Sequence, residues 1–155
     1  MKMPNSAYEI PEISISVKYK KSKADLKLYT VRTSSDVATF ARMCFNADEI
    51  EWREEMVMIC LNSQNEVCGY YKVSSGGISG TPCDPKVVFT VALNCCASSI
   101  IVAHNHPSGN LTPSEADRDI TRRLKDAGKT LGISLLDHVI ITVGSYYSFA
   151  DNGAL

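Results

Sequence analysis

The sequence has no surplus of basic side chains, since 16 Lys and Arg stand against 17 Asp and Glu, for a formal net charge of −1. A protein that mainly covers nucleic-acid phosphates needs such a surplus, so the balance disfavours that class, although a local basic patch stays compatible with it. No apolar run approaches the roughly 20 residues that span a bilayer. Residues 1–11 also lack the apolar segment of a secretory signal. We therefore expect no membrane association.

A Cys-x-x-Cys pair is also missing, although the chain contains six cysteines. They stand at positions 44, 60, 68, 83, 95 and 96, mostly inside apolar segments. This distribution favours small buried hydrophobic residues in a reducing compartment over a disulfide framework. It predicts a cytoplasmic protein.

The 155 residues, 45% of them hydrophobic, are enough for one domain with a substantial core. Strand and helix patterns alternate along the chain, which predicts the α/β class with a mixed sheet. The predicted strands are 56–61, 66–73, 99–103, 133–136, 139–143 and 146–149, and the predicted helices start at Asp84-Pro85 and at Ser114 and end near Ala97 and Leu131. Met56 to Leu61 is apolar throughout, as in a strand covered on both faces.

Residues 1–49 differ from the rest and are expected to form an N-terminal extension to a main domain of residues 50–155. Ile13, Ile15 and Val17 alternate with polar residues, which indicates a strand, and a second strand over residues 26–31 would complete a hairpin. A short helix should follow, with its N-cap chemistry supplied by residues 33–36.

Two of the three histidines, His104 and His106, stand where an apolar strand ends. Side chains two residues apart leave a strand on the same side, so both imidazoles can bind one metal ion while Asn105 points away. Asp117 lies in the first turn of the next helix, on the side expected to face the sheet. Two His and one carboxylate with an open fourth position form a recognised catalytic zinc arrangement. Ser114 and Asp117 are equally typical of a helix capping box, and that alternative stays open.

These residues together resemble the JAMM motif of the MPN/JAB metalloprotease superfamily and, more narrowly, its RadC branch, which carries a DNA-repair name. The motif residues are His104-Asn105-His106, Ser114 and Asp117, and the RadC-like residues are Pro107-Ser108-Gly109, Asp137-His138 and Tyr146-Tyr147-Ser148-Phe149. The resemblance covers about residues 50–155. It implies an α-β-α sandwich related to the cytidine-deaminase fold.

The resemblance also implies the site. His104, His106 and Asp117 would bind Zn²⁺, Ser114 would stabilise the reacting group, and an upstream glutamate would be the general acid and base. Glu54, after Arg53, is the candidate for that glutamate, with Glu55 as its competitor because neighbouring residues of a strand face opposite ways. The implied activity is metal-assisted hydrolysis of a peptide or isopeptide bond.

The chain departs from the RadC pattern at Pro85-Lys86-Val87, where a glutamate is usual. The helix-hairpin-helix module that often precedes this domain in the family is not expected here, which makes direct DNA binding doubtful. A DNA-repair or mobile-element accessory module with a structural metal is the alternative function. His138 is expected to be structural or to support the metal site from outside it. The substrate and the oligomeric state, a homodimer included, stay open.

Overall fold

The computed structural model describes residues 11–20, 29–76 and 82–155. The helices are α1 (Ser34–Cys44), α2 (Pro85–Asn94) and α3 (Glu115–Leu131). The strands are β1 (Glu55–Leu61), β2 (Val67–Ser75), β3 (Ser99–Asn105), β4 (Ser134–Ile141) and β5 (Tyr146–Ser148). None of the described helices is long and apolar enough to cross a membrane.

The five strands form one open sheet in the order β2-β1-β3-β4-β5. Neighbouring strands are antiparallel except β3 and β4, which are parallel. Helix α3 makes the connection between these two strands, because parallel neighbours need a crossover rather than a tight turn. The prediction of an α/β fold with a mixed sheet is therefore confirmed.

Helices cover both faces of this sheet. Helix α1 packs on one face, where Ala38 and Ala41 share a core with Val57, Ile59 and other residues of alternating strand positions. Helices α2 and α3 pack on the opposite face against the remaining set, which includes Met58 and Ile100. Burial on both sides explains why residues 56–61 of β1 and 100–103 of β3 are all apolar. The division of the chain at residues 49 and 50 stays a prediction, although α1 shares this core with the sheet.

Only part of the segment expected to form an N-terminal hairpin lies among the described residues. The prediction of a strand through Ile13, Ile15 and Val17 is wrong, because residues 11–19 form no regular structure and Ile13 is 87% exposed. Alternation predicts a strand only where one face is buried, and here no such face forms. Most of the second predicted strand lies outside the described residues, but Thr30 makes an antiparallel bridge with Glu66.

Two predicted boundaries also need correction. The strands expected at 133–136 and 139–143 are one continuous strand, β4, because the polar pair Asp137 and His138 between them is buried in its interior. Helix α2 ends at Asn94 rather than near Ala97, with Cys95 as its C-cap.

All six cysteines are free, and burial raises the pKa of the Cys44 thiol to about 12. Cys96 is exposed, so it does not pack as expected.

The close approach between the end of α3 and the chain that follows it yields a stability prediction. A Cβ added to Gly128 would lie 2.2 Å from the backbone oxygen of Ile133. Gly128→Ala should therefore lower the free energy of unfolding by about 1–3 kcal/mol, the usual range for overpacking a tight site, as measured by urea denaturation. Gly144→Ala is the control, since no atom of the described residues lies within 4 Å of its added Cβ. Equal stabilities for the two variants would contradict the prediction.

Candidate metal centre

The end of β3 sends its side chains alternately to the two faces of the sheet. His104 is fully buried beside Met56 of β1 and Ile140 of β4, its partners in the ladder. His106 follows directly after the strand and comes back to the same side, so that the Nε2 atoms of the two rings are 2.9 Å apart. Asn105 turns to the other side, as the alternation predicts. The strand end therefore brings two imidazoles together.

The N-terminus of α3 adds a carboxylate to these rings. Ser114 is the N-cap, and its side chain accepts a hydrogen bond from the backbone N–H of Asp117. The Asp117 Oδ2 atom in turn accepts hydrogen bonds from the Ser114 backbone and hydroxyl, both at 2.7 Å. The other oxygen, Oδ1, lies 3.2 Å from the Nε2 atom of His104. Capping and metal binding are thus compatible, because each uses a different oxygen of Asp117.

The donor set of His104, His106 and Asp117 fits a zinc ion. Ligand atoms of the three residues all lie within 4.8 Å of one another. Two imidazole nitrogens and one carboxylate oxygen are donors that zinc prefers, and a catalytic zinc site keeps a further position for water or substrate. His104 and Asp117 are buried while His106 is partly exposed, so the cluster is open on one side.

Electrostatics within the cluster keep Asp117 ionised. Burial alone would raise the pKa of its carboxyl, but hydrogen bonds to His104 and His106 outweigh burial and hold that pKa well below its usual range. The pKa of His106 is raised, chiefly by its hydrogen bond to Asp117. A metal ligand must be deprotonated, so protons and metal ions compete for these histidines.

A chain of hydrogen bonds fixes the ring of His104 from behind. Its Nδ1 atom lies 2.8 Å from Nε2 of His138, whose Nδ1 lies 2.6 Å from the hydroxyl of Thr121. That hydroxyl donates to the backbone oxygen of Asp117 at 2.5 Å. Burial first, and then the charge of His104, lowers the pKa of His138 well below its usual value, so the ring stays neutral. The Nε2 atom of a neutral His138 accepts a hydrogen bond from the Nδ1–H of His104, which leaves the Nε2 atom of His104 free to bind a metal.

His106 is oriented in the same way by the backbone. Its Nδ1 atom lies 2.6 Å from the carbonyl oxygen of Asn110, to which it donates, so its Nε2 is free for the metal. Thr121 and Asn110 were not singled out from the sequence. The spacing of Thr121, four residues after Asp117 on one helix face, is a signal that could have indicated it.

The open side of the cluster faces a cleft of about 510 Å³. Its polar lining includes Glu54, His106, Ser114 and Asp117, and its apolar lining includes Met56 and Ile120. The structure therefore places Glu54 and Ser114 beside the candidate metal ligands. His104 lies behind them, out of contact with solvent.

Glu55, the competitor for the role of general base, is placed differently. Its carboxylate accepts hydrogen bonds from Lys72 at 2.8 Å and from Ser75 at 3.0 Å. It is also 3.7 Å from Arg53, and it does not line the cleft. The two glutamates thus point to different surroundings, as strand alternation predicts.

Comparison with known proteins identifies the family to which the chain is similar. Residues 31–154 match the RadC-like JAB domain family. A UPF0758 protein of Flavobacterium johnsoniae is 42% identical over 128 residues, which cover 83% of this chain and 55% of that protein. A UPF0758 protein of Thermotoga maritima is 46% identical over 103 residues, which cover 66% of this chain and 46% of that protein. The chain spans about half the length of these curated relatives.

Proposed function

This chain belongs to the RadC-like JAB domain family, and we propose that it is a zinc-dependent hydrolase of peptide or isopeptide bonds. The observation that carries the proposal is the convergence of His104, His106 and Asp117 beside a cleft that Glu54 also lines. A glutamate beside a two-histidine, one-carboxylate metal site is the arrangement expected for metal-assisted hydrolysis.

The residues of the cleft divide the work of this reaction. A bound zinc ion would supply a Lewis acid that lowers the pKa of water toward ~7 and polarises a carbonyl. Glu54 takes a proton from the attacking water while the oxygen of that water forms a bond to the carbonyl carbon. When the carbon–nitrogen bond breaks, the same carboxyl gives that proton to the leaving amine. One carboxylate therefore acts first as base and then as acid.

Ser114 has two tasks in this proposal. Its backbone N–H and hydroxyl hold Oδ2 of Asp117, which leaves Oδ1 free to bind the metal. Because Ser114 also lines the cleft, its hydroxyl can turn its proton toward the carbonyl oxygen as negative charge develops there.

The alternative is an accessory module in DNA repair or in a mobile element, with a structural metal. A structural zinc site is closed by four protein ligands, whereas only three potential ligands converge among the described residues. The net charge of −1 also gives no support for binding to DNA. The six free cysteines support a reducing compartment, and we propose the cytoplasm.

The test measures zinc content and hydrolysis on the same preparation. Purified protein reconstituted with zinc should bind about one equivalent, and the zinc-loaded form should cleave members of a peptide and isopeptide library that the chelated form leaves intact. A protein that holds no zinc after reconstitution would overturn the proposal. Salt-dependent binding to DNA at physiological ionic strength, without hydrolysis, would favour the accessory module.

A further inference from the structure

We propose that Asn105, the residue between the two candidate metal ligands, is a positioning residue that holds the backbone of Glu54 in place. This inference rests on the proposed function, because it concerns the group that would act as general base. Asn105 is fully buried, and strand alternation sends its side chain to the face of the sheet opposite His104 and His106. It does not touch the cleft, so any effect on the reaction must pass through another residue.

The hydrogen bonds of Asn105 hold the two peptide groups on either side of Glu54. Its Oδ1 accepts from the backbone N–H of Glu55 at 2.8 Å. Its Nδ2 donates to the backbone oxygen of Arg53 at 2.8 Å and to that of Ile50, also at 2.8 Å. The Arg53 oxygen belongs to the peptide group before Glu54, and the Glu55 N–H belongs to the one after it. One side-chain amide therefore fixes the backbone of Glu54 from both sides.

The same strand end also carries the metal ligands, which links the two parts of the site. His104 pairs with Met56 in the β1–β3 ladder, so Asn105 continues the register beside Glu55. Side-chain alternation sends His104 and His106 to the cleft face and Asn105 to the other. Any shift of the β3 end therefore moves the metal ligands and the backbone of Glu54 together. A small displacement of a reacting group, about 1 Å, is enough to slow a reaction roughly 100-fold.

The test compares Asn105→Ala with Asn62→Ala. Asn62 makes a similar set of hydrogen bonds, to Glu66 and Gln64, but at the opposite end of β1. In the zinc-loaded proteins, Asn105→Ala should lower kcat about 10- to 100-fold with KM within about twofold of wild type. Zinc content should be unchanged. Asn62→Ala should keep both kinetic constants.

A second variant and a second readout protect the test against misfolding and against failure of the proposed function. Asn105→Asp keeps the acceptor for Glu55 but sets a carboxylate oxygen against the carbonyl oxygens of Ile50 and Arg53, so its kcat should fall at least as far as that of Asn105→Ala. Hydrogen–deuterium exchange needs no substrate, and it should speed up at residues 50–55 in Asn105→Ala but not in Asn62→Ala.

The outcomes separate the two proposals. Faster exchange at residues 50–55 with zinc retained, in a protein that hydrolyses nothing, would refute the proposed function and still support the positioning of Glu54. Unchanged exchange there, or equal losses of kcat in Asn105→Ala and Asn62→Ala, would overturn the role of Asn105. Loss of zinc in step with loss of activity would overturn it as well, because Asn105 would then act through the metal ligands.

Discussion

Replacing Asp117 by asparagine is expected to lower the affinity for zinc by more than about 100-fold, since even the loss of a partner outside the ligand shell costs roughly 10- to 100-fold. The substitution keeps the shape of the side chain, and its remaining oxygen can still accept from the backbone N–H of Ser114. The helix cap should thus survive while the negative ligand is lost. Zinc affinity is measured by competition with a chromophoric chelator, and hydrolysis by the zinc-loaded proteins is compared at equal zinc occupancy.

Asp119→Asn is the matched control for this experiment. Asp119 lies on the same helix and lines the same cleft, but it pairs with Arg122 and is not among the clustered ligands. Its variant should bind zinc as wild type does. If both variants kept full affinity, Asp117 would be a capping residue only, and the metal site would have to be abandoned.

Replacing Glu54 by glutamine should have the opposite signature, with zinc retained and hydrolysis lost. We expect kcat to fall about 10²- to 10⁴-fold, the usual contribution of a general acid and base. Glutamine occupies nearly the same volume but cannot take a proton from water. The measurement is the steady-state rate of the zinc-loaded variant on the substrate found with wild type, with zinc content determined on the same sample.

Glu55→Gln separates this effect from the loss of any carboxylate near the start of β1. Glu55 is buried, with Lys72 and Ser75 as hydrogen-bond partners, so neutralising it should cost about 1 kcal/mol of stability. The kcat of this variant should remain within about twofold of wild type. A large loss of kcat in Glu55→Gln with normal Glu54→Gln kinetics would reverse the assignment of the two glutamates.

Local rules were enough to place most helices and strands. The N-caps of α1, α2 and α3 use Thr33, Asp84 and Ser114 as the sequence indicates, because a side-chain oxygen there satisfies a free N–H within the same segment. The rule that a polar residue interrupts an apolar strand failed at β4, where Asp137 lies inside one continuous strand. Its carboxylate is instead satisfied by Ser148 and by the backbone of Ala150, which are distant partners that the sequence does not reveal. The alternating pattern of residues 13–17 also predicted a half-buried strand, but a strand forms only if distant residues cover one of its faces, and these residues are exposed.

The candidate site shows the same division. The residues that bear metal-binding chemistry can be identified from the sequence alone, because the spacing of His104 and His106 on a strand and the place of Asp117 in the first turn of a helix depend only on local periodicity. Three relations require the folded chain: Asp117 reaches His104, His138 forms a hydrogen bond to the far side of the His104 ring, and Glu54 rather than Glu55 lines the cleft. Those relations depend on the register between strands and on the packing of α3 against the sheet. They are fixed by contacts between residues far apart in the chain, and local sequence patterns do not predict such contacts.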